Sequence, residues 1–228
     1  MSVIYQGHNE DRLRRAKSWL EQAQMEGRSD VEAFLFCWIA FNAAYGRIPE
    51  YGQVPKEEKV KVKEWELFNE FVRRITKHDK KGIVKAALDT DYPAVRRLMK
   101  NKYIFEPFWK HLRGEEVDWK KQFDERNKKL RERLKRRNTA GILNEILSRL
   151  YTLRNQITHG GVTFNGGLGE KQLRDGSRMM LALVPPILEV MEKTIERQPA
   201  TEIWGVVAYP RFEEHASRFG DMKQDKNN

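Results

Sequence analysis

A single cysteine, Cys37, stands in 228 residues. An intrachain disulfide is excluded, and Cys37, inside "FLFCWIAFN", reads as a small buried hydrophobe. No His-Glu-x-x-His and no Cys-x-x-Cys occurs, so the usual zinc frameworks lack their ligands. No metal and no cofactor is expected. Long hydrophobic runs are missing too. No stretch approaches 18 apolar residues, and the opening "MSVIYQGHNEDRLRR" has no apolar segment of the secretory kind. A cytoplasmic protein without a membrane partner is expected. Acidic residues are in deficit: 43 Lys and Arg face 33 Asp and Glu, for a net charge of +10. Such a surplus favours polyanionic partners.

What is present is enough for a folded core. Apolar residues make up 39% and aromatics 11% of the chain. The surplus of charge is concentrated. Residues 120–137, "KKQFDERNKKLRERLKRR", carry ten Lys and Arg against three Asp and Glu. The candidate contacts to RNA phosphates in it are Lys128, Lys129, Arg131, Arg133, Lys135, Arg136 and Arg137. Trp119 and Phe123, at a spacing of four, read as anchors of this helix to the body.

Periodicity is helical almost throughout. The pattern predicts helices over 9–26, 30–45, 57–77, 118–136, 139–159 and 171–197. Short helices are expected near 82–88, 93–100 and 104–112. Ser29 and Glu32 form a Ser-x-x-Glu capping box for the second helix, "DVEAFLFCWIAFNAAY". That helix is apolar nearly all round, so it belongs at the centre, with Asn42 as its one polar interior residue. Pro185 and Pro186 are expected to kink the last long helix. The reading is all-α, one helical domain over 1–197. Residues 79–118 are taken as an insertion or lid, and 198–228 as a tail, partly extended at "IWGVVAYP". Arg174 and Asp175 read as an ion pair orienting the glycine-rich turn "GGVTFNGGLGE".

The chemistry is concentrated in "RLYTLRNQITHGG", residues 149–161. Around this helix Ile142, Leu143, Ile146, Leu147, Leu150, Leu153 and Ile157 fall in one apolar arc. Arg154 lies inside that arc, where a guanidinium costs free energy unless acceptors meet it. Asn155 and His159, an i, i+4 pair, share another face with Ser148 and Tyr151. Arg154 and His159 are about 140° apart on an ideal helix. A frayed last turn, or a second copy across a twofold axis, would bring them together. Histidine moves protons near neutral pH, and arginine supplies a fork of donors for phosphate oxygens. The set suits phosphodiester cleavage that uses the RNA's own 2′-OH as nucleophile.

Together with "FLFCWIAFNAAYG" upstream and "GEKQLRDGSRMMLALVPPILEVM" downstream, this motif resembles the HEPN superfamily (higher eukaryotes and prokaryotes nucleotide-binding domain). The resemblance covers about 8–48 and 139–197. It implies an up-and-down helical bundle that homodimerises, so that two Arg-Asn-x-x-x-His motifs form one composite ribonuclease site. It implies metal-independent cleavage leaving 2′,3′-cyclic phosphate ends, in a toxin–antitoxin or antiviral defence setting, with an antitoxin or defence-system protein as partner. The motif residues carry over as Arg154, Asn155 and His159, with Asn42 and Tyr151 in support. Some such toxins carry a tyrosine two residues after the histidine, which a partner modifies. Here that position is Gly161, so control by that route is not expected. The alternative reading is a non-catalytic RNA-binding or assembly module that uses the same basic surface.

Overall fold

A helix apolar on every side has to sit between others. The second helix does so, in a computed structural model that describes residues 2–46, 64–164, 167, 169–196, 201–205 and 207. Among these the fold is all-α: α1 (Ser2–Ala23), α2 (Asp30–Tyr45), α3 (Glu64–His78), α4 (Ile83–Thr90), α5 (Tyr92–Lys100), a 3-10 turn (Lys102–Ile104), α6 (Glu106–Leu112), α7 (Trp119–Lys135), α8 (Thr139–Thr158), α9 (Glu170–Ile195) and α10 (Thr201–Trp204). None of these helices is long and apolar enough to cross a membrane.

The expected capping box opens α2. The Glu32 N–H donates to Ser29 Oγ, and the Ser29 N–H donates to Glu32 Oε2 at 2.9 Å. These bonds hold the Glu32 carboxyl below its ordinary range. Phe34, Cys37, Trp38, Ala40 and Phe41 are all buried. Burying each of the large ones contributes about 1.5–3 kcal/mol. Burial pushes the Cys37 thiol up to about 12, as suits an inert core residue.

Contacts along α2 set the directions of its neighbours. Arg12 of α1 reaches the Gly46 carbonyl, and Trp19 meets Phe36. The two helices are therefore antiparallel. Ser177 of α9 donates to Asp30 at 2.6 Å, while Glu192 of α9 pairs with Lys17 of α1. So α9 runs with α2 and against α1. Trp38 packs against Tyr151, and Phe34 and Leu153 both lie against Gly176, so α8 opposes α2. These four helices, α1, α2, α8 and α9, thus alternate in direction.

Gly176 is where three of them meet. A Cβ there would stand 2.5 Å from Leu153 Cδ2 and 3.3 Å from the Phe34 ring. Gly176→Ala is expected to destabilise the protein by about 1–3 kcal/mol through overpacking. A thermal melt checks this: an unchanged or raised midpoint would show that Leu153 yields freely.

Several expectations need correction. Residues 79–118 are no lid, because Val84, Leu88, Ala94, Val95, Leu98, Met99 and Ile104 join the common core. The segment is pinned by Arg97–Asp175 and Arg178–Asp91, each at 2.8 Å. Asp175 is thus held by Arg97 on α5 and not by its neighbour Arg174. The stretch expected to be extended begins as a helix: α10 ends at Trp204, 2% exposed, and buried Arg12 donates to the Trp204 carbonyl at 2.8 Å. The Gly46 and Gly205 carbonyls accept from the same side chain, so three backbone oxygens draw that guanidinium inward. The first helix starts at Ser2, earlier than its apolar spacing indicated. Pro185 and Pro186 both lie inside α9, which runs on through them. Residues 57–63 of the third expected helix, and 208–228 of the tail, lie outside the described residues.

Candidate active site

The end of α8 is closed by a Schellman turn. His159 occupies the C-cap, and its N–H donates to the Asn155 carbonyl at 3.0 Å. The Gly160 N–H donates to the Ile157 carbonyl and the Gly161 N–H to the Gln156 carbonyl, at 3.2 and 2.6 Å. Gly160 takes φ +71°, a left-handed conformation that glycine adopts without strain. The two glycines therefore stop the helix at the point that leaves the His159 side chain exposed. The last helical carbonyls there favour a cation.

Six of the seven arc residues, Ile142, Leu143, Ile146, Leu147, Leu150 and Leu153, are buried, and Ile157 is half-buried. Arg154 escapes the arc in which its position placed it. Its Nη1 donates to Asn155 Oδ1 at 3.1 Å, so the guanidinium swings toward the Asn155 side of the helix. This is the acceptor the sequence required. It also carries the arginine head toward the face shared with His159, within one chain. Asn155 is half-buried and keeps its amide N–H groups as donors. Among the described residues no group of three or more His, Cys, Asp and Glu stands ready for a metal ion.

The supporting residues divide. Tyr151, half-buried, packs its ring tilted at 56° and 6.1 Å from that of Trp38, and so fixes α8 on α2 four residues before Asn155. Asn42 does not face the motif. Because α2 opposes α8, Asn42 lies one turn beyond Trp38, away from the 154–159 end.

The basic helix α7 forms a hairpin with α8, and this separates two features that are adjacent in sequence. Arg133 contacts Gly141 and Arg126 contacts Glu145, so residues 128–137 lie beside the start of α8. The rise along α8 from Gly141 and Glu145 puts them about 20–30 Å from His159. Arg133 differs from the others in being engaged within the protein: it donates to the Gly141 carbonyl at 3.1 Å and pairs with buried Glu145. Lys128, Lys129, Arg131, Lys135, Arg136 and Arg137 are exposed. Trp119 and Phe123 serve as anchors, packed edge-on against Phe108 and Phe105.

Two features escaped the sequence. One is a polar junction under α7: Glu145 and Arg149, 3% and 1% exposed, with Arg149 lying 4.3 Å from the Phe105 ring centre. The other is Tyr103. It is exposed, Lys102 lies 5.2 Å over its ring, and its carbonyl accepts from Gln156 and Trp109. Tyr103 thereby stands beside the last turn of α8. Residues 101–105 have too short a pattern for periodicity to reveal it. Comparison of the chain with known protein families, characterised proteins and solved structures returns no match.

Proposed function

We propose that this chain is an endoribonuclease of the HEPN kind, cytoplasmic and metal-independent, acting as a homodimer in a toxin or antiviral defence role. The observation that carries this reading is the coupling of Arg154 to Asn155 beside an exposed His159 at a glycine-capped helix end. In the reaction His159 takes the proton from a ribose 2′-OH. The 2′-oxygen attacks the adjacent phosphorus, and the bond to the 5′-oxygen breaks. The His159 of a second copy returns a proton to that leaving oxygen, giving a 2′,3′-cyclic phosphate and a 5′-OH end. Arg154, pre-oriented by Asn155, offers its fork to the phosphate oxygens as charge builds.

The face for a second copy is the seam where α2 meets α8. Leu35, Ile39 and Ala43 on α2 and Ser148, Tyr151 and Asn155 on α8 are half-buried, a mostly apolar stripe that leads to the motif. Pairing along this seam about a twofold axis brings two helix ends together.

The test is to incubate cellular RNA in EDTA with the wild-type protein and with His159→Ala. Cleavage by the wild type that is lost in the variant is expected. No cleavage by the wild type, or equal cleavage by both, overturns the catalytic reading. Salt-dependent RNA binding without cleavage would replace it with the non-catalytic module.

A further inference from the structure

A groove of about 490 Å³ lies between α5 and α7. Its floor is apolar: Met99, Leu130 and Leu134. Its rims are cationic, with Arg96 and Lys100 from α5 and Arg131 from α7, against one carboxylate, Asp124. Tyr92, 40% exposed, stands at the α5 side. Lys128 and Lys135, each four residues from a groove residue of α7, extend the same face. A cavity between α1 and α9 offers a contrast: there Glu10, Glu21, Glu192 and Glu196 outnumber Arg14 and Lys17.

The pairing of the cations separates structural from available charge. Arg97 is held by Asp175, and Arg126 and Arg133 are held by Glu145. Among the described residues none of Arg96, Lys100 and Arg131 pairs with a carboxylate. Three unpaired cations over an apolar floor, with a tyrosine ring beside them, match a ligand with phosphates outside and exposed base faces inside. A double helix hides its base faces, whereas a single strand presents them.

The groove also answers the separation of the basic helix from His159. Lys100 ends α5, and three residues later Tyr103 accepts the Gln156 side chain. Lys102, over Tyr103, continues the line of positive charge and aromatic surface. Gln156 is three residues before His159. We infer that the groove between α5 and α7 holds single-stranded RNA and leads it past Tyr103 to the end of α8. This rests on the reading of the chain as a ribonuclease.

Binding is measured by fluorescence anisotropy in the His159→Ala background, with a single-stranded RNA of about a dozen nucleotides. The triple variant Arg96→Gln, Lys100→Gln, Arg131→Gln is expected to bind on the order of tenfold to a hundredfold more weakly near 0.15 M salt. Its slope of log affinity against log salt should be shallower by about 2. Tyr92→Ala should lose about fivefold or more. A control triple removing the exposed charges Arg73, Lys77 and Lys80, at the end of α3 and away from the groove, should lose no more than about threefold. Should the groove triple misfold, Lys100→Gln and Arg131→Gln alone carry the comparison, at roughly fourfold each. Equal losses in the groove and control triples, duplex RNA bound as tightly as the single strand, or a deoxy strand bound more tightly, each overturn the groove. If the wild type fails to cut but the binding pattern holds, the cleavage reading falls and the groove stands. If the wild type cuts and the groove variants bind like the controls, the groove falls alone.

Discussion

Glu145→Gln is expected to be the most damaging single change to the stability of this protein, at about 3–5 kcal/mol, or roughly 10 °C in melting midpoint. Glutamine keeps the shape of the side chain and removes only the charge. Glu145 is 3% exposed and faces three guanidiniums: Arg126 at 2.9 Å, Arg133 at 3.7 Å and Arg149 at 3.8 Å. Arg126 and Arg133 are 45% and 35% exposed at their side chains, so water takes over most of their charge. Arg149 has no such recourse. It is 1% exposed, and none of its three nitrogens finds a hydrogen-bond partner. Burial pushes its guanidinium down to about 10, with Glu145 opposing that shift and Arg126 adding to it. The folded value lies below the ordinary one, so the charged form is disfavoured on folding. Stability from this group is present above the ordinary arginine range and is lost as pH falls through about 10.

The same reasoning gives the opposite sign for Arg149→Met. Methionine fills the slot between Phe105 and Phe123 with no charge to desolvate, and Glu145 keeps Arg126 and Arg133. That variant is expected to melt at or above the wild-type temperature. The double variant should recover most of what Glu145→Gln loses, a coupling that a double-mutant cycle reads directly. If Arg149→Met proves as harmful as Glu145→Gln, and the two losses simply add, then Arg149 is not the group that Glu145 neutralises.

Why this junction was hidden in the sequence is instructive about periodicity. Counting leucines and isoleucines around α8 finds the face that burial in apolar surroundings requires, and that face is observed. Yet α8 is buried on a second side as well, where Glu145 and Arg149 lie under α7. Polar residues at a spacing of four look like a solvated pair from sequence, since nothing local says that Phe105 and Phe123 cover them. The central helix α2 was legible because both its composition and its cap point one way. The end of α8 was legible too, because a glycine-rich turn follows its last periodic residues. The join of 79–118 to the core was not, because its helices are short and each buries only a few side chains. The distance between the basic segment and His159 has no signature in the sequence, because chain adjacency across a hairpin places residues at the far end of the partner helix. For the candidate site, the angle between Arg154 and His159 on an ideal helix left two ways to join them, a frayed last turn or a second copy. The hydrogen bond from Arg154 to Asn155 narrows that gap within one chain. The proton-transfer scheme with two histidines still requires two copies.

Mixing experiments on the active site separate the one-chain and two-chain arrangements. His159→Ala is expected to lower RNA cleavage by about 10²- to 10⁴-fold, the usual share of a positioned proton-transfer group. Arg154→Ala is expected to cost about 10²- to 10³-fold through lost stabilisation of the crowded phosphate. Neither substitution touches the buried arc, since Arg154 is half-buried and His159 exposed, so both variants should melt near the wild type. Co-expression of the two inactive chains produces heterodimers that hold a single intact His159, too few for the two proton transfers, so their cleavage is expected to stay as low as that of the inactive homodimers. Co-expression of wild type with an excess of His159→Ala should lower the wild-type rate by about tenfold or more, since most intact chains are then paired with a subunit that cannot donate the second proton. If each chain works alone, an excess of His159→Ala leaves the wild-type rate untouched. That result would place the whole reaction on a single helix end. Arg154 held by Asn155 would then be the only phosphate clamp, and a lone His159 would have to serve as both base and acid.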